Sequence, residues 1–246
     1  MLASFDTHVF WTALTSSPYW KGALLALALA AAALCTAVVG GFFLALGRES
    51  RFRVVRGFVF FYNWIFRATP TLLQLLFIWN ALPLLWSPFA GTWFTPFAAA
   101  YVALSLNEAA YMCEIIRAGL LSVDPGQELA GRALGMRHRR ILRRVIVPQA
   151  IRIIIPPTGN EFITLLKLTS LASVISLQEL LTSSENLAAV KFQYIEAYAA
   201  ALVYYLVIVS ILMLVQSRLE RRFTWTSRKR GRVSAPAVPA IPHDAR

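Results

Sequence analysis

The chain has 246 residues, 58% of them apolar and 15% charged, against roughly 45–50% and about 25% in soluble domains. A mean hydropathy of +0.59, with uncharged runs longer than about 18 residues, excludes a soluble globular domain and a disordered chain and points to helices embedded in lipid. The 24 Lys and Arg against 12 Asp and Glu give a net charge of +12, which suits either nucleic acid or a membrane protein with basic cytoplasmic loops, so the placement of the arginines has to choose.

The first uncharged run, Gly22 to Gly47, has 26 residues and would make a helix of roughly 39 Å, longer than the roughly 30 Å hydrocarbon core. Before it stands only Lys21, with Trp11, Tyr19 and Trp20 as expected interfacial anchors. After it come Arg48, Arg51, Arg53 and Arg56, which by the positive-inside rule places residues 1–21 outside and the arginines in the cytoplasm. From Ala68 to Asn107 no residue is charged, but Pro83, Pro88 and Pro96 interrupt the run. It divides into a second span from about Gly57 to Leu82, an external Pro- and Trp-rich loop, and a third span from Phe97 to about Leu121.

The polar stretch 122–149 is an inner loop carrying Arg132, Arg137, Arg139, Arg140, Arg143 and Arg144. A fourth span is expected from about Ile151 to Leu177 and a fifth from Ala197 to Ser217, joined by an external loop with Glu179, Glu185, Lys191 and Glu196. Residues 218–246 form a basic inner tail, expected to be disordered from about Arg228 onward. This layout predicts an all-α membrane protein with five transmembrane helices in residues 22–217, N-terminus outside and C-terminus inside. It puts 19 of the 24 basic residues on the cytoplasmic side, so nucleic acid is not needed to explain the charge.

Cys35 and Cys113 sit alone in apolar surroundings and are expected as small buried hydrophobes. His8, His138 and His243 have no metal-ligand spacing, and no Ser/His or Cys/His constellation can be assembled. A membrane-embedded enzyme therefore lacks its reactive groups.

Within the inner loop, Pro125-Gly126 breaks the chain, and Gln127 to Leu134 reads as a short helix with Glu128 near its positive end and Gly135 as its stop. A second, amphipathic helix follows. It has Ile141, Leu142, Val145 and Ile146 on one face and arginines largely on the other, and it is expected to stop at Pro148. Taken alone, this pattern suits a basic helix resting on anionic lipid.

The run Pro125-Gly126-Gln127-Glu128-Leu129-Ala130-Gly131-Arg132-Ala133-Leu134-Gly135, followed after nine residues by Val145, Val147 and Pro148, resembles the Glu-Ala-Ala loop of binding-protein-dependent ABC importer permeases. Phe66-Arg67-Ala68-Thr69-Pro70, Leu72-Leu73-Gln74-Leu75, Glu114-Ile115-Ile116-Arg117, Pro148-Gln149-Ala150, Pro156-Pro157 and Gly159-Asn160-Glu161-Phe162 are similar to the polar amino acid branch of that family. The likeness covers about Gly22 to Ser217. One departure is plain: the family's loop Glu falls on Leu129, with Glu128 one position early and Gly131 in place of the second Ala.

The resemblance implies a multi-pass subunit of the inner (cytoplasmic) membrane, not itself an enzyme, that couples to a separate ATPase through Glu128, Ala130, Gly131, Leu134 and Gly135. It implies ATP and magnesium on that ATPase, a solute-binding protein outside, and a second permease copy or paralogue. None of Lys21, Lys167, Lys191 and Lys229 directly follows a Gly, so the chain has no phosphate-cradling G-x-x-x-x-G-K-[ST] loop and no cofactor of its own is expected.

An ionisable residue at a span centre costs about 2.5–3.5 kcal/mol on insertion scales and should face protein or water. Asn160, Thr164 and Lys167 fall on one helical face, with Glu161 about 100° away. These four, with Arg67 and Thr69, are the candidates for a solute path. Equally, Glu161 and Lys167 could tie spans together, Arg67 could serve the carbonyls freed by Thr69-Pro70, and Glu114 could pair with Arg117 at i,i+3. A secondary transporter or channel would use the same charges without ATP, but many such folds carry inverted repeats and none is visible here.

Overall fold

The computed structural model describes residues 5–223, and among them every element is helical. The basic tail beyond Phe223, with its expected disorder, lies outside the described residues. In chain order the helices are α1 (Thr7–Thr15), α2 (Ser17–Arg48), α3 (Arg53–Ala68), α4 (Thr71–Asn80), the single turn α5 (Leu82–Leu85) and α6 (Pro96–Leu121). They continue with α7 (Pro125–Ala133), α8 (His138–Ile141), α9 (Val147–Leu168), α10 (Leu180–Lys191) and α11 (Tyr194–Phe223). By length and composition α2 and α11 can each cross a membrane, and the bent pair of α8–α9 with α10 would make a third crossing.

The centre of the molecule is the parallel packing of α2 with α6, in which Thr36 meets Tyr101, Gly41 meets Met112 and Glu49 meets Arg117. Helix α2 turns Ala26, Ala30, Ala33 and Ala37 inward, all buried, against Ala99, Ala100, Ala103 and Ala110 of α6. Apolar lipid tails give helices little hydrophobic reason to associate, so close backbone packing between small residues has to supply the attraction. Gly41 shows how tight the contact is: a Cβ there would lie 2.6 Å from Met112 Cβ. Leu29, Leu75, Leu104, Leu165 and Leu166 fill the remaining space between α2, α4, α6 and α9. The outer faces of α2 and α11 expose Phe42, Phe43, Leu202 and Leu206, as a face turned to hydrocarbon does.

The expected second span is two helices, α3 and α4, divided at Thr69-Pro70. Such a break frees carbonyls that hydrocarbon cannot satisfy. Gln74 Nε2 donates to Phe66 O (3.0 Å), Thr69 O (3.1 Å) and Thr69 Oγ1 (2.7 Å). From α6, Asn107 Nδ2 donates to Phe66 O (3.0 Å) and Gln74 Oε1 (2.9 Å). The donors that the break needs are therefore amides, and Arg67 takes no part.

Other expectations are corrected. Helicity continues from His138 to Leu168, so the second loop helix does not stop at Pro148. A π-turn at Leu142–Ile146 leads into α9, with Val147 N–H bonded to Leu142 O, and Pro148 directly follows this wider turn. Glu114 and Arg117 do not pair with each other. Arg117 Nε reaches Glu49 Oε1 at 2.9 Å, while Glu114 accepts from Asn63 Nδ2 at 3.1 Å and lies 3.9 Å from Arg67.

The stretch expected as an external loop is mostly helix α10. Glu179, fully buried, caps it by accepting from Leu181 N (2.9 Å) and Thr182 N (2.8 Å). Buried Glu196 accepts from Asp6 N (2.8 Å) and so ties the N-terminal segment to α11. Tyr19 is 1% exposed and donates to Ala197 O (3.0 Å), whereas Trp11 and Trp20 are exposed as anchors should be. Cys113 is buried, but Cys35 faces outward.

Replacing Gln74 with Leu leaves the carbonyls of the break short of donors. The purified Gln74→Leu protein should lose about 1–3 kcal/mol of stability, read as a lower thermal midpoint in detergent. An unchanged midpoint would show that the break does not depend on this side chain.

Candidate functional site

Two regions collect the sequence candidates. The first is the loop 122–149. Asp124 caps α7 by accepting from Gly126 N (2.7 Å), and Pro125 occupies the first turn. Glu128 Oε1 accepts from Arg132 Nη2 (2.5 Å) and meets His138 Nδ1 at 3.2 Å, which ties α7 to the start of α8. The hydrogen bond from Arg132, and then the charges of Arg132 and His138, hold the Glu128 carboxyl below the usual carboxylate range.

At the other end of α7, Gly135 N bonds Arg132 O (2.9 Å) and Met136 N bonds Gly131 O (3.0 Å). These are the paired bonds of a Schellman cap. They place Gly135 at φ +72°, with nothing within 4 Å of where a Cβ would sit. Backbone conformation alone, and no crowding inside this chain, therefore calls for glycine here. Gly131 serves differently: it is buried against fully buried Ile141, whose Cγ1 would lie 2.8 Å from an added Cβ.

The result is a braced hairpin of α7 and α8. It buries Gly131 and turns Ala130, Leu129 (67% exposed) and Leu134 (81% exposed) outward. Arginines flank these apolar side chains, so the surface they make is small, rigid and apolar. Leu129, the departure from the family pattern, is part of it.

The second region is a face of α9. Asn160, Thr164 and Lys167 are exposed in one row, one turn apart, while Glu161 is half-buried and lies within electrostatic range of Glu108 on α6. Glu108 is 1% exposed, and its Oε1 has no hydrogen-bond partner among the described residues. Lys167 makes no ion pair among the described residues. Arg67 belongs elsewhere. With Arg48, Asn63, Trp64 and Glu114 it lines a separate cleft of about 280 Å³, its guanidinium 5.6 Å from the Tyr111 ring centroid. Thr69, beside it, is occupied in the helix break, donating to Ile65 O (2.8 Å). The approach of Glu108 to Glu161 depends on the packing of α6 on α9, which no local sequence pattern encodes.

Comparison with known proteins agrees with this geometry. The family of binding-protein-dependent transport system inner membrane components matches residues 37–225. The arginine transport system permease protein ArgU of Corynebacterium glutamicum is 43% identical over 211 residues, which are 82% of this chain and 66% of ArgU. The octopine transport system permease protein OccM of Rhizobium radiobacter is 35% identical over 242 residues, covering 95% of this chain and 96% of OccM. A solved structure described as an amino acid ABC transporter with histidines superposes with a TM-score of 0.79 at 36% identity, covering 90% of this chain and all of that one.

The strain at Gly135 can be measured. A β-branched residue in the left-handed conformation costs roughly 1–2 kcal/mol, so Gly135→Val should raise amide hydrogen exchange across residues 125–141 while membrane insertion stays normal. Unchanged protection in that stretch would show that the loop does not rely on the cap.

Proposed function

The chain belongs to the binding-protein-dependent transport system inner membrane components, and from that premise we propose that it forms the translocation path for a polar amino acid or related small solute. The chain is a multi-pass permease component of the inner membrane, and its relatives include permease proteins of amino acid transport systems. The observation that carries the finer reading is the row Asn160, Thr164 and Lys167 with Glu161 beside it, polar groups on a span-length helix that make no ion pair among the described residues. Such groups are expensive in lipid and belong against water, solute or a second permease copy.

An amino acid zwitterion needs a cation for its carboxylate and an acceptor for its ammonium. Lys167 supplies the first and Glu161 the second. Arginine is the solute in the name of ArgU. In this reading α2, α3 with α4, α6, α9 and α11 are five crossings, with the N-terminus outside and α7 and α8 in the cytoplasm. The asymmetry of 19 basic residues out of 24 supports that orientation. The partners are a solute-binding protein outside, a second permease copy or paralogue, and ATPase subunits that bind ATP and magnesium. The braced hairpin, with Ala130, Leu129 and Leu134 outward, would dock on the ATPase and convert its closure into movement of α6 and α9.

Uptake by reconstituted complexes tests the path: Lys167→Ala should abolish transport while basal ATP hydrolysis continues. Wild-type uptake by this variant would reduce Lys167 to a structural charge. Coupling is tested separately. Gly135→Val should remove most of the stimulation of ATP hydrolysis by loaded binding protein in liposomes, and a normal response would overturn the docking role.

A further inference from the structure

Five arginines of the loop have no part in that reading. Arg137, Arg139, Arg140, Arg143 and Arg144 line one open cleft of about 420 Å³. Among the described residues none of the five guanidiniums has an ion pair. Like charges gathered on so short a stretch repel one another unless an anion sits among them. The helical rod that carries them runs on, within one turn of Arg144, into an apolar groove of about 740 Å³. This falls within the roughly 300–1,000 Å³ range of small-molecule sites.

Val147, Ile151 and Ile155 of α9 line the groove along its length, facing Val39 and Phe43 of α2 and Met112 of α6. Its lining hydroxyl, Thr158, donates to Ile154 O (2.8 Å), so it offers no free donor to water. The groove is therefore suited to hydrocarbon, and the cleft next to it is suited to an anion.

We propose that groove and cleft together bind one anionic phospholipid of the inner leaflet, an acyl chain lying along α9 and the phosphate among the arginines. Charge complementarity selects this occupant. A second copy of the chain placed here would bring the same cationic stretch, and a soluble subunit cannot reach a groove between membrane helices. Basic clusters at the cytoplasmic ends of spans attract anionic headgroups in this way. The proposal rests on the reading that α7 and α8 face the cytoplasm.

The test uses the full complex purified in mild detergent, with bound lipid read by native mass spectrometry. Wild type should retain about one phosphatidylglycerol or cardiolipin per permease chain in preference to phosphatidylethanolamine. The triple variant Arg140→Gln, Arg143→Gln, Arg144→Gln should weaken that retention roughly a hundredfold, about fivefold per arginine. Val39→Trp, which narrows the groove and leaves every arginine in place, should also weaken lipid retention. Equal retention of zwitterionic and anionic lipid overturns the proposal, as does unchanged retention in the triple variant. Loss of the ATPase from the triple variant with lipid still bound also overturns it and assigns the arginines to that subunit. Orientation is read independently: in a Cys35→Ser background, Arg139→Cys should react with an impermeant maleimide from the cytoplasmic side only, and labelling from outside would overturn the topology rather than the lipid affinity.

Discussion

Hydrocarbon offers no hydrogen bonds, so every backbone N–H and C=O inside the membrane has to find its partner within the protein. An unbroken helix meets that demand by itself. This chain breaks a helix at Thr69-Pro70, widens one at the π-turn Leu142–Ile146, and carries Pro156-Pro157 inside the continuous α9. At the first break, Gln74 and Asn107 serve the carbonyls of Phe66 and Thr69. At the double proline, Gln216 of α11 donates to Pro156 O (2.6 Å). The amides thereby also fasten α4 to α6 and α11 to α9, so the requirement that satisfies the backbone also sets which helices stay together.

Against that requirement, the groups left unsatisfied carry information. Small residues along α2 and α6 let the two helices approach closely, and nearly every buried polar side chain among the described residues is bonded. The exceptions among the described residues are few: Asn63 Oδ1, Ser105 Oγ, Glu108 Oε1 and Gln193 Oε1. Glu108 and the exposed row on α9 lie on two packed helices that also lead, at one end, into the loop of α7 and α8. Packing thus joins the proposed solute path to the proposed coupling surface through two rigid elements. A tilt of the loop would be felt along both helices, because packed interfaces shift between discrete arrangements rather than bending smoothly.

The loop shows a related economy of means. Its stiffness comes from an Asp124 cap, a Glu128 contact with Arg132 and His138, the Gly131 contact with Ile141, and the left-handed Gly135. None of these uses the outward apolar side chains, which stay free for a partner. A rigid, small, apolar surface is what a docking element needs, since little conformational freedom is then lost on binding.

Composition, uncharged run lengths and the positions of the arginines were enough to establish an all-helical membrane protein, to locate its long apolar segments within a few residues, and to pick out the loop by its Gly and Pro spacing. Those signals are local, and each is a property of a single segment in its solvent. The sequence by itself also determined that Asn160, Thr164 and Lys167 share a face, because helical periodicity requires it. Partner choice was beyond it. Pairing Glu114 with Arg117 by spacing failed because each side chain found a better partner on another helix, and Pro148 read as a stop because a π-turn leaves no mark in residue type. Tyr19 resembled a lipid anchor until α11 covered it, and Glu179 and Glu196 resembled loop charges until they proved to be a buried cap and a clasp. Such outcomes depend on distances between residues far apart in the chain, and only the packing of α2, α6, α9 and α11 sets those distances.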